Sequence, residues 1–103
     1  MGKCKVEFNV KANVEAKEIF VVGNVKELGA WNETKAIKLT FDESKCLFTT
    51  SKMIEVGTNV EYKIMLTASW EHVEKGEWNS EIENHKFVAQ KGHKEEVEVR
   101  YLQ

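Results

Sequence analysis

The sequence has no proline, only six glycines and two cysteines, and no long apolar run. Without proline, the turns of the chain must depend on Gly, Asn, Asp and Ser. Charged residues interrupt every hydrophobic stretch, and none approaches the roughly 20 apolar residues that cross a bilayer, so no membrane partner is expected. No secretory signal precedes the first strand-like pattern, which favours an intracellular origin or excision from a longer protein and leaves the localisation open.

A surplus of positive charge is also missing. Fifteen Lys and Arg residues against 17 Asp and Glu residues leave a net charge of -2, and the two signs alternate along most segments. Proteins that bind nucleic acid usually cluster basic residues to neutralise phosphates, so no nucleic-acid partner is expected.

The two cysteines, Cys4 and Cys46, form no CxxC motif and have no histidine at a metal-ligand spacing. A zinc site is therefore not expected, and no cofactor is predicted. A disulfide between them and two reduced thiols are both compatible with the sequence.

Alternation of apolar and polar residues dominates the chain and predicts β-strands rather than helices. Val6, Phe8 and Val10 point to one face of a first strand, and the apolar run 19–22 forms a second that ends at Gly23. Residues 13–17 are polar and turn-like. Residues 37–41 and 47–54 predict a hairpin, and the alternation over 60–67 is the clearest strand. The spacing indicates one domain over residues 1–103, an all-β antiparallel β-sandwich of seven to eight strands, immunoglobulin-like.

The three tryptophans, Trp31, Trp70 and Trp78, fall in the two irregular segments of the chain, near residues 23–35 and 68–84. Strand aromatics suffice for a sandwich core: Phe8, Phe20, Phe48, Tyr62 and Phe87. An indole flanked by polar side chains suits a sugar ring, which offers a CH-rich face and a hydroxyl rim. The tryptophans therefore predict a carbohydrate site, although each of them could instead cap one end of the sandwich.

No catalytic residues are predicted. His72, His85 and His93 have no Cys or Ser partner at a recognised spacing, and the carboxylates alternate with lysines as on solvated strand faces. A catalytic sandwich whose carboxylates converge only in space stays open as an alternative.

Three segments carry a resemblance to the starch-binding domains of carbohydrate-binding module family 20. Residues 20–31, FVVGNVKELGAW, resemble the family's strand-loop signature, V-G-[NS]-x-x-E-L-G-x-W. Residues 59–64, NVEYKI, are similar to its (F/V)-E-Y-K-F strand, and residues 77–85, EWNSEIENH, to its W-E-S-x-x-N-[RH] segment. The three occur in the family's order.

The resemblance implies that Trp31 and Trp78 are the two stacking platforms of the principal site, with Lys63 and Asn84 donating hydrogen bonds to glucose hydroxyls. An insertion between Lys63 and Trp78, relative to the family, makes Trp70 the substitute for the second platform. As alternatives, Lys63 could be a solvent-exposed strand residue without a role in binding, and Asn84 could simply close a turn.

Three loop positions, Gly23, Leu28 and Gly29, are assigned to the shape of the loop rather than to sugar contact. Leu28 is expected to anchor the loop in the core, and Gly23 and Gly29 to allow unusual dihedrals or close approach. Phe20 and Phe48 occupy positions where the family's second glucan site usually has Tyr and Trp. Because phenylalanine cannot donate a hydrogen bond, that second site is expected to be weakened or lost.

The function implied is non-catalytic binding of α-1,4-glucans: starch, glycogen and maltooligosaccharides, with cyclodextrin as a soluble ligand. Such modules usually serve a covalently linked catalytic domain, for example an amylase, a glucanotransferase or a glucan phosphatase. The alternative is a β-sandwich that binds another protein through the same aromatic surface.

Overall fold

The computed structural model describes residues 2–12, 18–66 and 70–102. Within them the chain folds into two four-stranded sheets and a short two-stranded ribbon. The first four strands are β1 (Lys3–Ala12), β2 (Phe20–Gly23), β3 (Ile37–Lys38) and β4 (Thr40–Asp42). The remaining strands are β5 (Leu47–Glu55), β6 (Asn59–Met65), β7 (Glu74–Lys75), β8 (His85–Val88), β9 (Lys94–Val99) and β10 (Tyr101–Leu102).

The strand order separates the two layers. One sheet has the order β4-β5-β1-β9, the other β3-β2-β6-β8, and β7 pairs with β10 in the ribbon. All pairings are antiparallel except that of β1 with β9, which is parallel. The connections between strands contain four short 3-10 turns: Lys26–Leu28, Glu33–Lys35, Trp70–His72 and Glu77–Asn79.

The core lies between the two sheets and is built from the alternating residues of each strand. Val6, Phe8 and Val10 of β1 are buried, and Val60, Tyr62 and Ile64 of β6 face them from the other layer. Phe8 packs edge-on against Tyr62, with ring centroids 5.2 Å apart, a geometry that aromatic quadrupoles favour. Successive side chains of a strand point to opposite faces, so the alternating apolar residues of β1 and β6 are the ones that are buried, as the sequence predicts.

The β-sandwich and its main strands are confirmed. The hairpin of β4 and β5 forms with Phe41 opposite Phe48. The described residues form ten strands, more than the seven or eight main strands of the sequence pattern, because β3, β7 and β10 have only two residues each and are too short to show a period. The polar segment 13–17 lies outside the described residues.

The cysteines are both free thiols. Cys4 is buried, and its Sγ lies 3.4 Å from the carbonyl oxygen of Ile54, whereas Cys46 is exposed in the turn before β5. Of the two alternatives that the sequence left open, the structure has the reduced form. Among the described residues, no helix is long and apolar enough to span a membrane.

Candidate carbohydrate-binding groove

One open groove collects most of the residues that the sequence singles out. It has a volume of about 410 Å³ and lies between the two irregular segments, with Lys63 of β6 and Lys75 of β7 in its wall. We call it the tryptophan groove; its lining residues are Trp31, Lys63, Trp70, Val73, Lys75, Glu81 and Asn84. The groove thus has two indoles beside several hydrogen-bonding side chains.

Backbone hydrogen bonds hold the loop that carries Trp31 in one shape. The N–H of Trp31 donates to the carbonyl of Gly23 at 2.8 Å, and the N–H of Ala30 donates to Val25 at 2.9 Å. The Asn24 amide joins this loop to β6, since its Nδ2 donates to the carbonyl of Asn59 and its Oδ1 accepts from the N–H of Glu61. Trp31 therefore sits on a fixed support rather than on a free loop.

Three residues of this loop and the strand before it have the structural roles that the sequence predicts for them. Leu28 is fully buried in the core. Gly29 has φ +85°, and a Cβ there would lie 2.7 Å from the carbonyl oxygen of Lys35. At Gly23 a Cβ would lie 2.6 Å from the carbonyl oxygen of Glu61, so both glycines are required by close approach of the backbone.

Trp31 and Trp70 form a tilted pair. Their ring centroids are 6.1 Å apart and their planes differ by 40°. Trp31 is half-buried against the small apolar cluster of Val22, Met65 and Val73, whereas 39% of Trp70 is exposed. The cluster supports the pair from behind and leaves part of both rings on the groove.

Glu33 connects the two segments that carry these indoles. Its Oε2 accepts the backbone N–H of Trp70 at 3.0 Å, across 37 positions of sequence. Asn32 caps the 3-10 turn that holds Glu33, through a bond from the N–H of Thr34 to Asn32 Oδ1 at 3.0 Å. No local pattern in the sequence relates Glu33 to a tryptophan so far along the chain, so its role becomes visible only in the folded structure.

Lys63 and Asn84, the two predicted donors, both line the groove. Lys63 Nζ donates to the carbonyl of Ile82 at 3.1 Å, and Asn84 Nδ2 donates to Glu61 Oε1 at 3.2 Å. An ammonium has three donors and an amide group has two, so each side chain keeps donor capacity for a ligand. Their internal bonds hold them in position beside the indoles.

A charged pair forms another part of the groove wall. Lys75 Nζ is hydrogen-bonded to Glu81 Oε1, and this bond lowers the pKa of Glu81 below its usual value of 4.5. Neither residue was predicted, because Lys75 and Glu81 belong to an irregular segment whose folding only the structure shows.

Trp78 is the predicted residue that does not line the groove. It lies in the 3-10 turn Glu77–Asn79 with φ +62°, its side chain is 91% exposed, and it does not line the tryptophan groove. A hydrogen bond of 2.8 Å from the N–H of Gly76 to the carbonyl of Ser80 closes the turn at its base. Of the predicted residues, Trp31, Lys63, Trp70 and Asn84 line the groove, and Trp78 is not among its lining residues.

A polar network is built around the buried residue Tyr62. His85 Nε2 is 2.7 Å from the buried carboxylate of Glu74, and the His85 ring stacks on Tyr62 with centroids 5.0 Å apart. The Tyr62 hydroxyl donates to Glu95 Oε1 at 2.7 Å. Burial, with the bond to Glu95, raises the pKa of Tyr62 far above its usual value of 10.

The aromatic residues considered for a second glucan site are separated. Phe41 and Phe48 are in contact, with centroids 5.0 Å apart, and Phe41 is 48% exposed. Phe20 packs instead against the apolar cluster behind the tryptophan groove. The weakening or loss of a second site stays a prediction.

Across residues 2–12, 18–66 and 70–102, no group of His, Cys, Asp or Glu has the arrangement of a metal site.

A β-sandwich with aromatic rings in an open polar groove is typical of carbohydrate-binding modules. The model of the family described as "Starch binding domain", CBM_20, matches residues 3–99. The chain therefore belongs to the starch-binding domains of carbohydrate-binding module family 20, a family of non-catalytic modules. Comparison with curated protein sequences gave no significant match.

Solved structures share the fold. The family 20 module of the maltotetraose-forming amylase from Pseudomonas saccharophila STB07 is 22% identical, with a TM-score of 0.67 over 91% of this chain and 98% of that one. The family 15 glucoamylase from Hypocrea jecorina is 19% identical, with a TM-score of 0.72 over 97% of this chain. The γ-CGTase from alkalophilic Bacillus clarkii is 24% identical, with a TM-score of 0.63 over 95% of this chain. The chain spans only 18% of the glucoamylase and 15% of the CGTase.

Proposed function

We propose that the chain binds α-1,4-glucans without chemistry, by stacking glucose rings on Trp31 and Trp70. The observation that carries the proposal is the tilted indole pair, 6.1 Å between centroids and 40° between planes, in an open groove with polar walls. Two rings inclined to each other match the curl of an α-1,4-glucan, whereas a flat β-1,4 chain favours coplanar platforms. Starch, glycogen, maltooligosaccharides and cyclodextrin share this curvature.

In this proposal Lys63 and Asn84 set the register of the glucan by donating to its hydroxyls. Both side chains are held by bonds to the protein, so binding orders few rotamers and costs little conformational entropy. An open groove recovers only part of the burial energy of a sugar ring. We therefore expect a dissociation constant of roughly micromolar to millimolar per site, with avidity gained on a repeating polymer or through a linked amylase, glucanotransferase or glucan phosphatase.

The second platform is Trp70 in this proposal rather than Trp78. Trp70 lines the groove beside Trp31, and Trp78 does not. A protein-interaction surface spanning Trp31 and Trp78 has less support for the same reason, since the two indoles do not share one groove.

A titration with β-cyclodextrin, followed by calorimetry and tryptophan fluorescence, tests the proposal. We expect Trp31→Ala and Trp70→Ala each to weaken binding at least tenfold, equivalent to about 1.4 kcal/mol or more. Trp78→Ala is the matched control, since it removes an indole outside the groove, and it should bind as the unaltered protein does.

Two outcomes of this titration would contradict different parts of the glucan-binding proposal. If Trp78→Ala abolishes binding and Trp70→Ala does not, the second platform is misassigned. If the unaltered protein binds neither cyclodextrin nor soluble starch, glucan binding itself is refuted.

A further inference from the structure

A second groove lies on a different part of the molecule. It has a volume of about 530 Å³ and runs along the beginning of β1, between β5 and the turn before β9. We call it the lysine groove; its lining residues are Lys3, Cys4, Lys5, Glu7, Met53, Val56, Lys91, Gly92, His93 and Lys94. None of them lines the tryptophan groove.

The backbone beside this groove is a free strand edge. The N–H of Glu7 donates to the carbonyl of His93 at 3.1 Å, so the odd-numbered residues of β1 direct their N–H and C=O groups toward the β9 side. Pairing with β9 begins only at Glu7, whereas β1 itself begins at Lys3. The N–H of His93 is engaged by the carbonyl of Gln90. In the part of the chain that the structure describes, the backbone groups of Lys3 and Lys5 on this side thus have no partner.

The charge of the lysine groove is opposite to that of the whole protein. Its lining contains four lysines and one glutamate, although the chain carries a net charge of -2. Lys3 is paired with Glu27 at 3.6 Å, which leaves a formal surplus of two positive charges. The single carboxylate is already engaged: Glu7 accepts from Asn9 Nδ2 at 2.8 Å and lies 4.0 Å from Lys94 Nζ. Lys5 and Lys91 are exposed at its rim.

The floor of the groove is apolar. Met53, which lies opposite Lys5 on β5, is 50% exposed, and Val56 is 42% exposed. The groove therefore presents three features side by side: a free strand edge, a lysine rim and an apolar floor.

From this combination we propose that the lysine groove binds an extended acidic peptide segment with apolar side chains, which adds to β1 as an edge strand at Lys3 and Lys5. The free backbone groups require an extended chain, which supplies the complementary main-chain bonds. Acidic side chains opposite the lysines stabilise such a pairing, and the apolar side chains that alternate with them lie on the other face of the strand, the face of Cys4. A second copy of β1 does not fit, because it would place lysine against lysine across the new pair.

The probe is a capped peptide of alternating glutamate and valine, titrated into the isotope-labelled protein and followed by NMR and amide hydrogen exchange. We expect saturable shifts at Lys3 and Lys5, slower exchange of their amides, and no binding of the matched lysine-valine peptide. Cyclodextrin affinity should be the same with and without the peptide.

Two variants separate the edge from the charge. Lys5→Pro removes the free N–H without removing a bond to β5, and should weaken peptide binding at least tenfold. The double variant Lys5→Glu, Lys91→Glu should weaken it by a similar factor with the backbone intact. Lys35→Glu, a charge reversal outside the groove, is the matched control and should leave the affinity unchanged. Retained cyclodextrin binding shows that each variant is folded.

The proposal is overturned if the acidic peptide does not bind, if the lysine-valine peptide binds equally well, or if the double variant retains the full affinity. It is also overturned if an acidic polysaccharide such as dextran sulfate binds as tightly and protects no amide of β1, since the groove would then be only a positive patch. In that case the lysines would serve to keep other strands from the edge.

Discussion

Removal of the Glu33 carboxylate tests whether the two indoles depend on a tie between their loops. In Glu33→Ala, the N–H of Trp70 loses its acceptor at 3.0 Å and turns to water. A hydrogen bond to a charged group contributes about 1.5–3 kcal/mol when it is well buried, and this one is exposed, so we expect a loss of about 0.5–1 kcal/mol. For a domain of this size the midpoint of thermal unfolding should fall by about 3–6 °C.

The effect on binding follows from the same free energy. If the bond holds Trp70 against Trp31, its loss lowers the fraction of molecules with both platforms in place, and the affinity for cyclodextrin should fall about two- to fivefold. Near-ultraviolet circular dichroism of the tryptophans should weaken in parallel, because the coupling of two indoles depends on their relative orientation.

Two companion variants make the result decisive. Glu33→Gln keeps an acceptor oxygen and should recover most of the affinity. Glu43→Ala removes an exposed carboxylate from the turn before β5 and should change nothing. If Glu33→Ala binds cyclodextrin and shows dichroism as the unaltered protein does, the positioning role of Glu33 is refuted.

Three further predictions concern stability. Leu28→Ala leaves a cavity at a fully buried site and should lower the free energy of unfolding, measured with urea, by about 2–5 kcal/mol. A decrease of less than about 1 kcal/mol would contradict the role of Leu28 as an anchor of the loop. Because the pKa of Tyr62 is raised in the folded protein, its buried hydroxyl contributes fully to the free energy of unfolding below pH 10, the usual value of the pKa. Above pH 10 the hydroxyl ionises in the unfolded state, and this contribution is lost as the pH rises further. The difference in thermal midpoint between Tyr62→Phe and the unaltered protein should therefore shrink above pH 10, and a constant difference would argue against the raised pKa of Tyr62. The lowered pKa of Glu81 makes its pair with Lys75 stabilising above pH 4.5, with loss only as the pH falls through the lowered value. The small stability difference between Glu81→Gln and the unaltered protein should thus be constant from pH 5 to 7 and disappear in more acidic buffer; a difference that disappears above pH 5 would contradict this sign.

The sandwich itself was predictable because each main strand carries its own signal. Alternation at Val6, Phe8 and Val10 buries one face whatever the partner strand is, and a strand of two residues such as β3 is too short to alternate. The loop motif around Leu28 and Gly29 was equally readable, since a left-handed backbone and a buried anchor are local requirements.

The composition of the site needed the tertiary structure. Residues 70–84 have no regular period, so spacing along the chain could not decide whether Trp70 or Trp78 joins Trp31. The structure brings Trp70 to the groove through Glu33, a contact between residues 37 positions apart, and it leaves Trp78 on a turn of its own. The sequence alone determined which strands form and which loop presents Trp31, because those depend on neighbours in the chain. The partner of that indole and the free edge of β1 were decided only by folding, because they depend on which distant segments meet.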